Sequence, residues 1–367
     1  MGLKCVRLWL MLIFTFISLQ GWKIEGCLKQ ERFALLQLKR FFNNWVEGDG
    51  NSNCCDWRRV ECNNTTGKVI SLDLSYTRNQ EMGEWYLNVS LFSPFHELER
   101  LDLSGNLIAG CIENEGFERL SHLSNLVHLN LAYNMFNDIH VLSVSRLSNL
   151  EYLRLSGNIF NNSILSYVST LSSLKQLHLY DIGLKGIIDL QELDSLSNLE
   201  ELSMGENGIK KIVFSKGETS LRKLNAVYLS DLIISDGNRL FRTLGLFPSL
   251  KSIELWFINF TGAVTTYDMR SFKNLESLSM YETLFNNSFY QIIGAMTSLQ
   301  NLTMWDCTFK DTLLYPGLPT FKNLKLLAIE GIALNNILIP LLNGSLNSLE
   351  TLNLYDCNLT STLLEQG

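Results

Sequence analysis

The sequence predicts an α/β solenoid: a curved right-handed coil with one parallel β-sheet on its concave face and a small disulfide-stapled cap at its amino end. Three observations predict it. The stretch Leu98 to Asn106, LERLDLSGN, recurs along most of the 367 residues. Its first, fourth and sixth positions are apolar in copy after copy, and from Leu98 onward the copies start 24 to 28 residues apart. A fixed period in this range marks stacked repeats, because one short strand cannot bury three apolar residues alone, whereas a stack of strands forms a continuous core.

Close copies are LVHLNLAYN from Leu126, LEYLRLSGN from Leu150, LKQLHLYDI from Leu174 and LEELSMGEN from Leu199. Looser ones begin at Val69, Leu224, Leu250, Leu275, Leu299, Leu324 and Leu349, which makes twelve rows. Most are led by a Leu- or Phe-x-x motif, as in LSNL (Leu123 to Leu126) and FKNL (Phe272 to Leu275). The pattern L-x-x-L-x-L-x-x-N is that of a leucine-rich repeat. The ninth-position asparagine is expected to turn inward and bond the open backbone of neighbouring coils. Asn106, Asn134, Asn158 and Asn207 hold that position early, whereas Ile182, Leu232, Ile258, Thr283, Cys307, Ile332 and Cys357 hold it in other rows. Cysteine is accepted there, so Cys307 and Cys357 are expected to be buried free thiols, not bonded to each other. Two rows apart at about 4.8 Å per row, they exceed the roughly 7 Å between Cα atoms that a disulfide tolerates.

The amino terminus divides from the repeats. Met1 to Gly26 reads as a secretory signal: Lys4 and Arg7 precede an apolar run from Leu8 to Leu19 broken only by Thr15 and Ser18. That run is too short to cross a bilayer core of about 30 Å, and cleavage is expected between Leu19 and Gly26, the alternative being an uncleaved anchor. Nine Asn-x-Ser/Thr sequons agree with secretion: Asn63, Asn64, Asn88, Asn161, Asn259, Asn286, Asn301, Asn343 and Asn358. Residues 27–68 form the cap and residues 69–367 the repeats. Between Cys27 and Cys54, LKQERFALLQLKRFF suits a helix burying Phe33, Leu36, Leu38 and Phe41. Four cysteines lie in this lid, and we expect Cys27 to pair with Cys54 and Cys55 with Cys62. Zinc is disfavoured by the spacing and the absence of nearby histidines. Cys111 is left over in a loop, expected as a packed thiol, the alternative being a link to another chain.

The run from Cys27 through LKQERFALLQLK to CCDWRRVEC (Cys54 to Cys62) resembles the amino-terminal cap of plant leucine-rich-repeat receptors. YLNVSLFSPFHELERLDLSGN (Tyr86 to Asn106) and GCIENEGFERL (Gly110 to Leu120) are similar, more narrowly, to plant receptor-like proteins. The sequence departs from that family at Arg59, where many relatives carry glycine. It departs again in the connecting segments, whose Gly-x-Ile-Pro ending survives only in pieces such as LKGII (Leu184 to Ile188), which weakens the case for a regular second sheet on the flank.

Strand positions three, five, seven and eight point off the concave face and carry no packing duty, so binding residues are sought there. Position seven is small in early rows (Ser75, Ser104, Ala132, Ser156), then aromatic: Tyr180, Trp256, Tyr281, Trp305 and Tyr355. Position eight beside it is acidic at Asp181, Glu206, Asp231, Glu282, Asp306 and Asp356. Trp and Tyr dominate binding hot spots, and an acidic rail favours a basic partner. We therefore name Tyr180, Asp181, Trp256, Tyr281, Glu282, Trp305, Asp306, Tyr355 and Asp356 as candidate ligand-binding residues. The competing account is that repeat duplication copied these residues and the rings merely pack on one another. Asn301 and Thr303 fall on the same face, so a glycan at Asn301 would crowd Trp305.

Other chemistries find no support. With 37 acidic against 30 basic residues and no basic cluster, nucleic acid is not expected as a partner. The five histidines (His96, His122, His128, His140, His178) lack metal-ligand spacing, and His128 and His178 read as solvated strand residues. There is no phosphate loop, dinucleotide fingerprint or kinase motif, so neither enzyme activity nor a cofactor is expected. No later run is apolar enough to span a membrane, and the chain stops just after its twelfth strand without a second cap. Leu349, Leu352 and Leu354 are thus expected at an uncovered end, as in a truncated product. The resemblance implies an extracellular receptor of defence or development that binds a peptide, protein or glycan and signals through a partner receptor kinase. The second reading is a secreted inhibitor of a foreign cell-wall-degrading enzyme, similar to plant polygalacturonase inhibitors.

Overall fold

The computed structural model describes residues 27–42, 53–137, 147–216, 218–262, 272–285, 296–309, 322–332 and 347–357. Each of the twelve rows contributes one strand to a single parallel sheet running from Val69–Asp73 to Thr351–Tyr355, and a cap strand, Val60–Cys62, joins its amino edge antiparallel. The register keeps equivalent positions level: Leu202 pairs with Leu177 and Val227, and Tyr281 with Trp256 and Trp305. Because side chains alternate along a strand, positions four and six turn into one core that runs the length of the coil. In the last described strand Leu352 is 39% exposed, whereas Leu327 one row earlier is 1% exposed.

Asparagine fastens the early rows. The Asn134 Oδ1 accepts from the Asn106 and Ile108 amides at 3.0 and 3.1 Å, and its Nδ2 donates to the carbonyls of Leu103, Leu131 and Ala132. Asn207 accepts from three amides, those of Ile182, Gly183 and Leu184, and so serves the preceding row, which lacks an asparagine of its own. Beyond Asn207 a different fastener takes over. The Asn259, Leu284 and Thr308 amides donate to the carbonyls of Leu232, Ile258 and Thr283 in the row before. These bonds build a four-stranded flanking sheet of Ile233–Ile234, Asn259–Phe260, Leu284–Phe285 and Thr308–Phe309. The second sheet that the broken Gly-x-Ile-Pro motif argued against is therefore present in pieces, with two-stranded parts at Trp85–Leu87/Ile108–Cys111 and Lys185–Asp189/Gly208–Val213. Backbone pairing needs no proline-glycine signature, and among the described residues the flank is covered in separate pieces rather than by one regular sheet.

The opposite edge carries a ladder of its own. In six rows the residue before the first leucine donates to a backbone carbonyl of the row before: Asn149 to Ser124, Asn198 to Ser172, Asn274 to Pro248, Ser298 to Lys273, Asn323 to Thr297 and Ser348 to Lys322.

The cap helix is Lys29–Leu38, and Cys27 pairs with Cys54 and Cys55 with Cys62, as expected. Its buried face differs from the expected one. Ala34, Leu35, Leu38 and Phe42 are buried, whereas Phe33 is 64% exposed and Leu36 is also exposed. Phe41 stacks on Trp85 at 5.1 Å, so the long first interval latches the cap onto the repeats, with Arg78 over the same indole at 4.8 Å. Glu31 is fully buried and accepts from the Leu28 and Val69 amides, and burial pushes its carboxyl above the usual range. Arg59 explains its own oddity. Its φ of 75° is a left-handed conformation that favours glycine, and its guanidinium compensates by binding Asp73 at 3.2 Å and the Ser75 carbonyl at 2.8 Å. Cys111 ends the strand Ile108–Cys111 against the core rather than lying in a loop. The Cys307 thiol, buried as expected and pushed up to about 11 by that burial, donates to the Met280 and Trp305 carbonyls; Cys357 repeats the arrangement on Ile329 and Tyr355 but, in the last described row, is only half-buried.

Candidate functional site

The fold places position eight in the left-handed region in all twelve rows, with φ between 44° and 68°. Here the chain leaves the strand and turns toward the flank. Glycine takes this conformation freely and aspartate tolerates it. The aspartates of the acidic column, Asp181, Asp231, Asp306 and Asp356, thus have a backbone reason for their place. Glu206, Glu282, Tyr76, Tyr133 and Phe257 have no such reason, and a residue held there against its preference costs on the order of 1–3 kcal/mol. The column projects along the rim of the concave face, and all six of its acidic members are exposed.

Where a tyrosine holds position eight, the next row supplies a glycine to make room. A Cβ on Gly105 would lie 2.3 Å from the Tyr76 ring, and one on Gly157 would lie 2.5 Å from the Tyr133 ring. These rings cover the early rows, so Ser104, Ala132 and Ser156 at position seven are buried rather than free. The Arg154 guanidinium stands over Tyr133 at 5.7 Å. His128 and His178, expected to be solvated, are packed. His128 stacks on Tyr152 at 3.9 Å, and Tyr152 touches His178 at 5.2 Å. His178 lies 3.7 Å from Glu201, too far for a strong hydrogen bond. Burial, with Arg154 and His128 beside it, pushes the imidazole down to about 4.

In the later rows the structure brings together three of the five candidate aromatics. Trp256 and Tyr281 have ring centroids 4.3 Å apart, and Tyr281 meets Trp305 edge-on at 5.0 Å. The rings do pack on one another, yet Trp256 remains 41% and Trp305 44% exposed. Tyr355, 69% exposed, is separated from Trp305 by Glu330. Tyr180 is three rows from Trp256, with Gly205 and Ser230 between; its hydroxyl donates to Glu206, and burial raises its pKa. Asn301 is exposed on the same face, with Ser277 and Leu326 beside it. The sequons Asn286, Asn343 and Asn358 lie outside the described residues; Asn63, Asn88 and Asn161 each accept a backbone amide two residues on.

Reasoning from position seven missed the residues that shape the space between Tyr180 and Trp256. Tyr228 and Glu254 at position five and Glu201 at position three line a depression of about 390 Å³ there. The Trp256 indole donates to Glu254 at 3.3 Å, and Phe257 stands exposed next to it. The available signal was a tyrosine and two glutamates at strand positions that core packing does not require.

Comparison with known proteins fits this geometry. Residues 28–63 match the leucine rich repeat N-terminal domain, and residues 348–366 match the leucine rich repeat. The chain is 30% identical over 278 residues to Cuscuta receptor 1 of Solanum lycopersicum, covering 72% of this chain and 23% of that protein. It is 37% identical over 148 residues to receptor-like protein 14 of Arabidopsis thaliana, covering 36% of this chain and 14% of that one. The chain thus spans under a quarter of the length of these relatives. Among solved structures, the leucine-rich-repeat ectodomain of the Arabidopsis receptor kinase HAESA, in complex with a peptide hormone, superposes with a TM-score of 0.54 at 22% identity, over 90% of this chain and 54% of that one. A plant ice-binding protein superposes with a TM-score of 0.53 at 19% identity, over 91% of this chain and 97% of that one. At such identities the likeness is one of fold. The chain is built as a leucine-rich-repeat solenoid with its amino-terminal cap, and the relatives it matches along its sequence are plant receptor-like proteins.

Proposed function

We propose that the concave face from Tyr180 to Tyr355 is the ligand-recognition surface of a plant receptor-like ectodomain, exposed on the outer side of the cell and taking an extended peptide. The observation that carries this is the register-matched run Trp256, Tyr281 and Trp305, whose rings are preorganised by mutual contact while the two tryptophans stay exposed around a half-buried Tyr281. Rigid aromatics lose little entropy on binding, which suits them to anchor a partner. Asp181, Glu282, Asp306 and Asp356 border the aromatics, and Tyr355 extends the surface toward the last described row. The solved HAESA ectodomain, similar in fold, holds a peptide hormone, and a second HAESA structure includes a co-receptor. By the same analogy this ectodomain would signal through a partner receptor kinase. Glycans on Asn63, Asn64, Asn88, Asn161 and Asn259 would leave the aromatic run clear. One on Asn301 would stand beside Trp305 and confine the ligand to earlier rows.

The test is selection of a displayed library of random short peptides on the full chain secreted from a eukaryotic host. Peptides enriched on the wild type should lose roughly tenfold or more in affinity on Trp256→Ala/Trp305→Ala, since each anchor is worth at least about 1 kcal/mol. Equal binding by a variant that melts like the wild type would remove the concave face from the function.

A further inference from the structure

The position-seven column is interrupted once by small residues between two aromatics. Tyr180 and Trp256 bound the gap, and Gly205 and Ser230 fill it so sparsely that the Tyr228 ring shows through from position five. At about 4.8 Å per strand the gap is wide enough for one long side chain. Three carboxylates line it, those of Glu201, Glu206 and Glu254, and no lysine or arginine does. Each carboxylate meets only a neutral donor. The Gln176 amide reaches Glu201 at 3.2 Å, the Trp256 indole reaches Glu254 at 3.3 Å, and the Tyr180 hydroxyl reaches Glu206. His178, the nearest basic group, is held neutral. With three carboxylates and no lysine or arginine in its lining, the depression is electronegative, and burial and the neighbouring charge of Glu254 push Glu201 above the usual carboxylate range.

We infer that this depression receives one arginine side chain of the bound peptide, with its guanidinium between Glu201 and Glu254 and its flat face against the Tyr228 or Trp256 ring. Charge complementarity selects a cation. The arrangement of separated carboxylates beside aromatic faces selects arginine over lysine, because the planar guanidinium offers several donors in its plane and two faces to stack, whereas an ammonium is a strongly hydrated point charge. Occupation would also relieve the repulsion between Glu201 and Glu254. This inference rests on the proposed peptide-binding role of the face and names the chemistry of one of its subsites.

The same peptide selection separates the two ideas. Peptides whose binding depends on Trp256 and Trp305 should be enriched in arginine at one register. Replacing that arginine by citrulline, its neutral isostere, should weaken binding at least tenfold on the wild type, and lysine should fall between. On Glu201→Gln/Glu254→Gln the arginine and citrulline peptides should bind within about twofold of each other. Glu113→Gln/Glu218→Gln, two exposed carboxylates off the concave sheet, removes the same net charge and should preserve the full difference. Peptides that depend on the two tryptophans but show no arginine preference, or a citrulline penalty that survives the double glutamine variant, would overturn this inference and leave the peptide-binding face standing. Failure to select any tryptophan-dependent peptide would overturn both.

Discussion

Replacing Asn134 by leucine should destabilise the amino-terminal half of the coil by several kcal/mol, and the structure says which bonds carry the loss. The three carbonyls that Asn134 serves each retain another donor: Asn106 Nδ2 for Leu103, Asn158 Nδ2 for Leu131 and the Gly105 amide for Ala132. The Asn106 and Ile108 amides lose the acceptor they share, in a site where Asn134 is only 6% exposed. A buried polar group left unsatisfied costs about 1–3 kcal/mol, so the pair gives about 2–6 kcal/mol. Leucine has the same number of side-chain heavy atoms as asparagine and the same branch at Cγ, which keeps a cavity out of the comparison. Urea unfolding of the full secreted chain measures the total. Hydrogen exchange locates it, since the Asn106 and Ile108 amides should lose protection ahead of those in the Leu278 and Leu302 rows. A loss under 1 kcal/mol, or unchanged protection at those two amides, would show that the asparagines decorate the coil rather than hold it.

Further consequences follow at other sites. Arg59→Gly should be near neutral, within about 0.5 kcal/mol, because relief of the left-handed backbone offsets a half-exposed ion pair worth about 0–1 kcal/mol; Arg59→Ala keeps the strain, loses the bonds and should melt measurably lower. Gly157→Ala should cost about 1–3 kcal/mol through its φ of 66° and the displaced Tyr133 ring. Adding Tyr133→Ala should recover part of that loss, and additivity in melting experiments would refute the contact. His178 has a depressed pKa, so its stabilising contribution is fully present above its ordinary value of 6.5 and is lost as pH falls through about 4. After discounting for partial exposure and for attraction to Glu201, the amplitude is about 1–2 kcal/mol. His178→Gln should flatten the stability profile across that window.

The coil, its cap and both disulfides were legible because they rest on periodicity and local spacing, which a single chain carries openly. Position eight was legible as a column but not as a cause. The residue types Asp, Gly, Glu, Tyr and Phe share no chemistry, and only the backbone angle unites them. The cap helix misled because Phe33 and Leu36 satisfy an apolar pattern, yet the face that closes the stack is set by where Val69 and Trp85 stand. His128 and His178 looked solvated for a similar reason: they lie 24 and 26 residues from Tyr152 in sequence, at positions judged free of packing. The depression at Tyr228 was invisible to a scan for large residues, since it exists through small ones.

The change of fastener after Asn207 has a consequence for how such a chain can be rebuilt. Rows before it exchange side-chain amides with their neighbours, and rows after it exchange backbone bonds on the flank. A duplicated or transplanted row fits only beside neighbours that speak the same dialect. The later block, where Leu232, Ile258, Thr283, Cys307, Ile332 and Cys357 all serve at the ninth position, is therefore the part of the molecule where rows can be gained, lost or swapped with least repair, and it is there that the aromatic run lies.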